Sequence, residues 1–175
     1  MHTDHENAAY SDKSHFDRMP EAIVIGGYRN WLAGAFSREA HYWRRAFEIH
    51  VEILGNQSGK SAFEAMSALI NQISVDTIIP LQFHNPDVDM LCRDECLLLA
   101  FISATQHGNE TAQYLCTKLI CDPSKSYEIT AKAETYASIL KDGGCLLAPV
   151  SIKAIRKLSE QSGDALYIQK TQVRH

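Results

Sequence analysis

The sequence predicts an all-α, single-domain bundle of six or seven helices with short connections and a central apolar helix, and three observations carry that prediction. Apolar residues recur at i, i+3, i+4 and i+7 in one segment after another, the spacing that lines one side of a helix. Helix starts and stops punctuate those segments at short intervals: Ser37, Gly55, Asn109, Asp122-Pro123, Gly143-Gly144 and Ser151. No stretch of useful length alternates apolar and polar residues as a half-buried strand does. At 175 residues, 45% hydrophobic and 22% charged, the chain has the size and composition of one soluble domain with a well-buried core.

Residues 1–19 hold His2, His5 and His15 among polar neighbours and read as a flexible N-terminal tail, which places the helical domain at 20–163. Pro20 to Phe36 is ambiguous. Ile23 to Ile25 fits a short strand, whereas Pro20 suits a first helical turn and Trp31-Leu32-Ala33 reads as helix; the reading adopted is a helix weakened or broken at Gly26-Gly27. From Ser37, a good N-cap, the residues Ala40, Trp43, Phe47, Val51 and Leu54 form one stripe, with Arg38, Arg45, Glu48 and Glu52 off it, up to a stop at Gly55. Ser61 and Glu64 have capping-box spacing and predict the next helix, to about Ile73, with Phe63, Met66, Leu69 and Ile70 inward.

Pro80 and Asn85-Pro86 predict an irregular connection over Val75 to Asp89, with a turn of helix near Thr77 to Leu81. Met90 to Gln106 is apolar almost all round through Leu97 to Ile102, the mark of a central buried helix, and Gly108 ends it. Asn109 caps a short helix to about Cys121 whose Ala112, Leu115, Cys116, Leu119 and Ile120 face inward. Asp122-Pro123 opens another, with Ile129, Ala133, Tyr136, Ala137 and Leu140 inward and Gly143-Gly144 as the stop. Ser151 caps a last helix carrying Ile152, Ile155 and Leu158 that ends near Gly163, and 164–175 is a polar C-terminal tail. In Ala100, Ala112 and Pro123, the stretch from Leu98 to Leu140 resembles one tetratricopeptide repeat. Pro123 stands about one residue early and the tryptophan-and-glycine signature of the first helix is missing, so the resemblance implies stacked helical hairpins and no family.

Several function classes lose support. A formal net charge of -4 argues against nucleic-acid binding through Arg29, Arg38, Arg44 and Arg45, because that role usually shows as a clustered excess of cations. No basic-then-apolar leader opens the chain and Leu97 to Ala104 is too short to span a bilayer, so the expectation is a cytoplasmic protein with no membrane partner. Five cysteines, an odd number set in apolar stretches, suit reduced core thiols. The segment GNQSGKS, Gly55 to Ser61, has one residue too few between its glycines for a phosphate-binding loop, and it follows a helix where that loop requires a strand.

No cofactor or metal is expected. Cys92 and Cys96 share a helix face with His84 upstream, but the spacing is not that of structural zinc, and Cys116 and Cys121 do not converge. No nucleophile-and-base arrangement can be read from spacing: His41 and His50 fall on opposite sides of their helix, and Asp87, Asp89, Asp94 and Glu95 suit helix-start charge. The aromatic and basic cluster from Tyr28 to Arg45 has the residue types of interface hot spots. Trp43 and Phe47, on the stripe, are expected in the core, leaving Tyr42 and Arg45, with Arg38 and Trp31, as the candidate partner-binding residues. The primary expectation is a non-enzymatic protein acting through a protein partner or self-association. The alternative is a ligand-binding or enzymatic bundle with a pocket between the central helix and the helix from Ser37, using His50, Glu95 or His84.

Overall fold

The computed structural model describes residues 19–77 and 79–161. Six helices are α1 (Met19–Ser37), α2 (Ala40–Leu54), α3 (Asn56–Asp76), α4 (Arg93–Gln106), α5 (Glu110–Ile120) and α6 (Ser126–Asp142), the last entered through a 3-10 turn at Pro123–Lys125. A further helix, α7, covers 152–161. No strand occurs among the described residues, and the helices form one single-domain bundle. Met19 opens α1 and so belongs to the helical domain; the two expected tails otherwise lie outside the described residues.

α1 runs unbroken through Gly26-Gly27, against the expected break. Glycine inside a helix costs about 1 kcal/mol relative to alanine. Here it is required by packing: a Cβ on Gly27 would lie 2.6 Å from His50 Cε1 and 2.7 Å from the Met66 sulfur, so α2 and α3 press directly on that backbone. Ile23, Val24, Ile25, Tyr28 and Leu32 are buried along the same helix. Ser37 closes α1 instead of capping α2: its hydroxyl donates to the Ala33 carbonyl and accepts from the Glu39 amide. Arg38 takes a left-handed φ of 60° at the joint, and Glu39 stands at the start of α2.

α3 likewise starts earlier than its apparent capping box. Gly55 alone turns the chain with φ 81°, and Asn56 to Lys60 are already helical, which leaves Ser61 and Glu64 inside the helix. Gly59 explains the tight joint, because a Cβ there would sit 2.5 Å from Val51 Cα; the backbones of α2 and α3 touch where only glycine fits. GNQSGKS is therefore a helix start on the outside of a hairpin, with Lys60 and Ser61 exposed.

The remaining caps follow expectation. The Asn109 side chain accepts from the Ala112 amide, Asp122 from the Ser124 amide, and Ser151 from the Ala154 amide. α4 begins at Arg93, later than the apolar run suggests, with Cys92 in the N-cap position and the Glu95 carboxylate accepting a hydrogen bond from the Cys92 amide. The described residues between α3 and α4 make no helix, so the expected helical turn near Thr77 to Leu81 is not formed there. α2 lies between α1 and α3, α3 packs on α6, and α4 packs on α5 and α6 around Met66, Leu69, Phe101, Ile102, Ile129 and Leu140.

Candidate functional site

The irregular segment 79–92 has many backbone groups with no helix or sheet to satisfy them, and two buried side chains take that role. Arg29 of α1 and Glu95 of α4 form an ion pair at 2.7 Å, the side chains 1% and 0% exposed. Arg29 also donates to the carbonyls of Asn85, Val88 and Met90. Glu95 accepts from the amides of His84 and Cys92. Burial pushes the Glu95 carboxyl up, but the hydrogen bonds from Arg29, His84 and Cys92 outweigh it and hold the group below the usual carboxylate range. Gln82 is fixed beside this hub: its carbonyl accepts from the Tyr28 hydroxyl and its amide donates to Asp94.

Between this anchored segment and the ends of three helices lies a cavity of about 510 Å³. Its wall is built from Ile73 at the end of α3, Leu81, Leu97 and Leu98 of α4, and Leu119 and Ile120 at the end of α5. Asp76, Asp94, Asp122, Arg93 and Lys118 bring charge to it. Arg93 is already engaged, donating to Asp94 and to the Leu158 carbonyl, and the Lys118 ammonium lies 5.4 Å from the centre of the Tyr114 ring. Cys121 also lines the space; burial pushes its thiol up, and the charges of Asp76 and Asp122 add to that shift. It is accordingly a protonated thiol at neutral pH.

The expected pocket residues are not brought together. His50 of α2 is buried against α6, with Nδ1 2.8 Å from the Ala46 carbonyl and Nε2 3.0 Å from the Tyr136 hydroxyl. Burial pushes its pKa down, so the ring is neutral; Nδ1 donates to the carbonyl and Nε2 accepts from Tyr136. His84 and Glu95 do lie close, 3.9 Å apart, but in the loop anchor. The space beside the central helix is lined by residues of α3 and α5, and α2 contributes none to its lining.

The expected partner face is also divided. Trp43 and Phe47, assigned to the core, are 37% and 36% exposed, because the stripe they share rolls to the margin of α2. Trp43 lies over Gly34 and donates to the Trp31 carbonyl, while Phe47 meets Phe63 edge-on at 5.6 Å. Arg45, two residues from either, is about 200° around the helix from both, on the opposite flank. Its guanidinium is held by Glu52 at 2.9 Å and Glu48 at 3.5 Å. Tyr42 is half-buried and stacks on His41 at 4.0 Å. Trp31 faces inward and donates to Ser67, and Arg38 is exposed at the α1–α2 joint. Arg29, grouped with the surface arginines in the sequence, is buried.

Around Cys92 and Cys96, as elsewhere among the described residues, no three His, Cys, Asp or Glu side chains converge as a metal-ligating group. Burial pushes the Cys92 thiol up to about 11. No described helix is long and apolar enough to cross a membrane. Comparison with known proteins found no match among family models, curated proteins or solved structures.

Proposed function

We propose that the protein is a small-ligand-binding helical bundle that takes a compact, largely apolar molecule into the cavity beside α4. The observation that supports this reading is the cavity itself. Its volume of about 510 Å³ lies in the range of ligand sites, its wall is aliphatic, and a few polar groups stand at its edge. The wall contributed by the irregular segment is held in place by Arg29, Glu95 and Tyr28 rather than left to close on the hole. Nile red, a neutral apolar fluorophore, is expected to bind saturably at one site with blue-shifted emission. Cys121→Phe and Leu98→Phe, each placing a ring in the cavity, are expected to remove that signal with helical content unchanged. Undiminished Nile red binding in both variants, each still folded, would refute the assignment.

A second reading, action through a protein partner or a second copy of the chain, rests on the exposed aromatics of the α1–α2 side: Phe36 at 66%, Trp43 and Phe47. Such residues dominate interface energetics when buried by a partner. In analytical ultracentrifugation, self-association that disappears in Trp43→Ser/Phe47→Ser but survives in Tyr42→Ala/Arg45→Ala would support this reading and place the contact on the aromatic margin. A monomer at every concentration excludes the self-associating form.

A further inference from the structure

At one end of the cavity two carboxylates, Asp76 and Asp122, stand against one ammonium, that of Lys118, which lies over the Tyr114 ring, and this excess of negative charge narrows what the cavity can hold. α3 and α5 both terminate there: the last turn of α3 contributes Ile73 and Asp76, and the last turn of α5 contributes Leu119 and Ile120. Their C-caps, Thr77 and Cys121, each close one carbonyl, that of Ile73 and that of Thr117. The carbonyls after these have no intrahelical partner, so two negative helix ends point to the same region. Asp76, the last residue of α3, and Asp122, just past the end of α5, line the cavity at this end together with Cys121. The hydrogen bonds they accept come from neutral donors, Gln72 for Asp76 and Ser124 for Asp122. Lys125 acts on Asp122 by charge alone, and neither carboxylate forms an ion pair among the described residues. At the other side α4 begins, and there Arg93 and Asp94 neutralise each other.

We infer that the cavity selects a cationic amphiphile, a compact hydrocarbon or aromatic body carrying a protonated amine, with the body against Leu97 and Leu98 and the ammonium between Asp76 and Asp122. The inference rests on the cavity being a ligand site. It adds the sign of the ligand's charge and the end at which that charge sits. An ammonium placed there gains charge-assisted hydrogen bonds to carboxylates and to free helix carbonyls, whereas a carboxylate of the same length meets like charge. A neutral alcohol gains the apolar contact alone.

The test is calorimetric titration of the full chain with octylamine, octanol and octanoate, which share a body and differ in the head. Octylamine is expected to bind about tenfold or more tightly than octanol, with octanoate weakest. Asp76→Asn/Asp122→Asn should erase the preference for the amine and leave octanol unchanged; asparagine at 122 still caps the following turn, so the fold is preserved. Octanol binding with no advantage for the amine, or an advantage that persists in the double variant, overturns the inference and leaves the cavity assignment standing. Absence of binding by all of the probes overturns both.

Discussion

Among the described residues two buried side-chain pairs cross the core, one charged and one neutral. Arg29 and Glu95 join α1 to α4, while His50 and Tyr136 join α2 to α6. The second pair links regular helices whose backbones are already satisfied, and one neutral hydrogen bond between them suffices. The first pair faces a stretch with no secondary structure. Its donors and acceptors go to the backbone of residues 84–92, where unsatisfied carbonyls and amides would otherwise be buried. Buried charge is tolerated in this fold at an irregular segment that needs many hydrogen bonds at once and forms one wall of the cavity.

The largest effect is expected at Arg29. Arg29→Met leaves Glu95 buried without its counter-charge and is expected to cost about 3–5 kcal/mol in urea unfolding, with loss of Nile red binding as the cavity wall comes free. A loss as small as that of a surface arginine would show that the pair is not needed to hold the segment. Tyr136→Phe tests the neutral pair; it leaves His50 Nε2 buried without a partner, at an expected cost of about 1–3 kcal/mol and with cavity binding intact.

The neutral pair also predicts a pH dependence. Burial holds the folded His50 pKa below its ordinary value of 6.5, so below that pH the unfolded chain binds a proton that the folded chain does not. Stability contributed by His50 is therefore complete above about pH 6.5 and declines as pH falls from there toward the lower folded value. Thermal unfolding of the native protein and of His50→Gln across this window should show a difference in slope, and parallel curves would contradict it. The smallest effect belongs to the exposed ion pairs: Arg45→Ala, which removes the bonds to Glu48 and Glu52, should change stability by less than about 1 kcal/mol. That variant is the control against which the buried arginine is judged.

Much of the helical order was legible because it depends on local chemistry. Asn109, Asp122-Pro123, Gly143-Gly144 and Ser151 mark boundaries through hydrogen bonds and backbone angles within a few residues. Where the reading failed, a contact distant in sequence had overridden a local signal. Gly26-Gly27 looks like a helix breaker until α2 and α3 are seen pressing on it, and Ser61 with Glu64 looks like a cap until Gly59 lets α3 begin well before it, at Asn56. Trp43 and Phe47 share a stripe with core residues, but periodicity does not say how far a stripe turns toward its neighbours. Arg29 had a readable sign: it lies four residues after Ile25 and three before Leu32, on the buried face of α1, where an arginine requires a partner. Nothing nearby identified Glu95 as that partner.

The sequence alone determined that this chain is helical, roughly where its helices begin and end, and which of them is central, because caps, glycine stops and apolar spacing act over a few residues. Tertiary structure decided the rest. The cavity is bounded by residues near 73–82, 93–98 and 118–122, which no spacing rule connects, and its charge comes from two helix ends that only packing places side by side. Periodicity constrains which face of a helix is apolar; what that face meets is set by long-range contacts, and a binding site is made of those contacts.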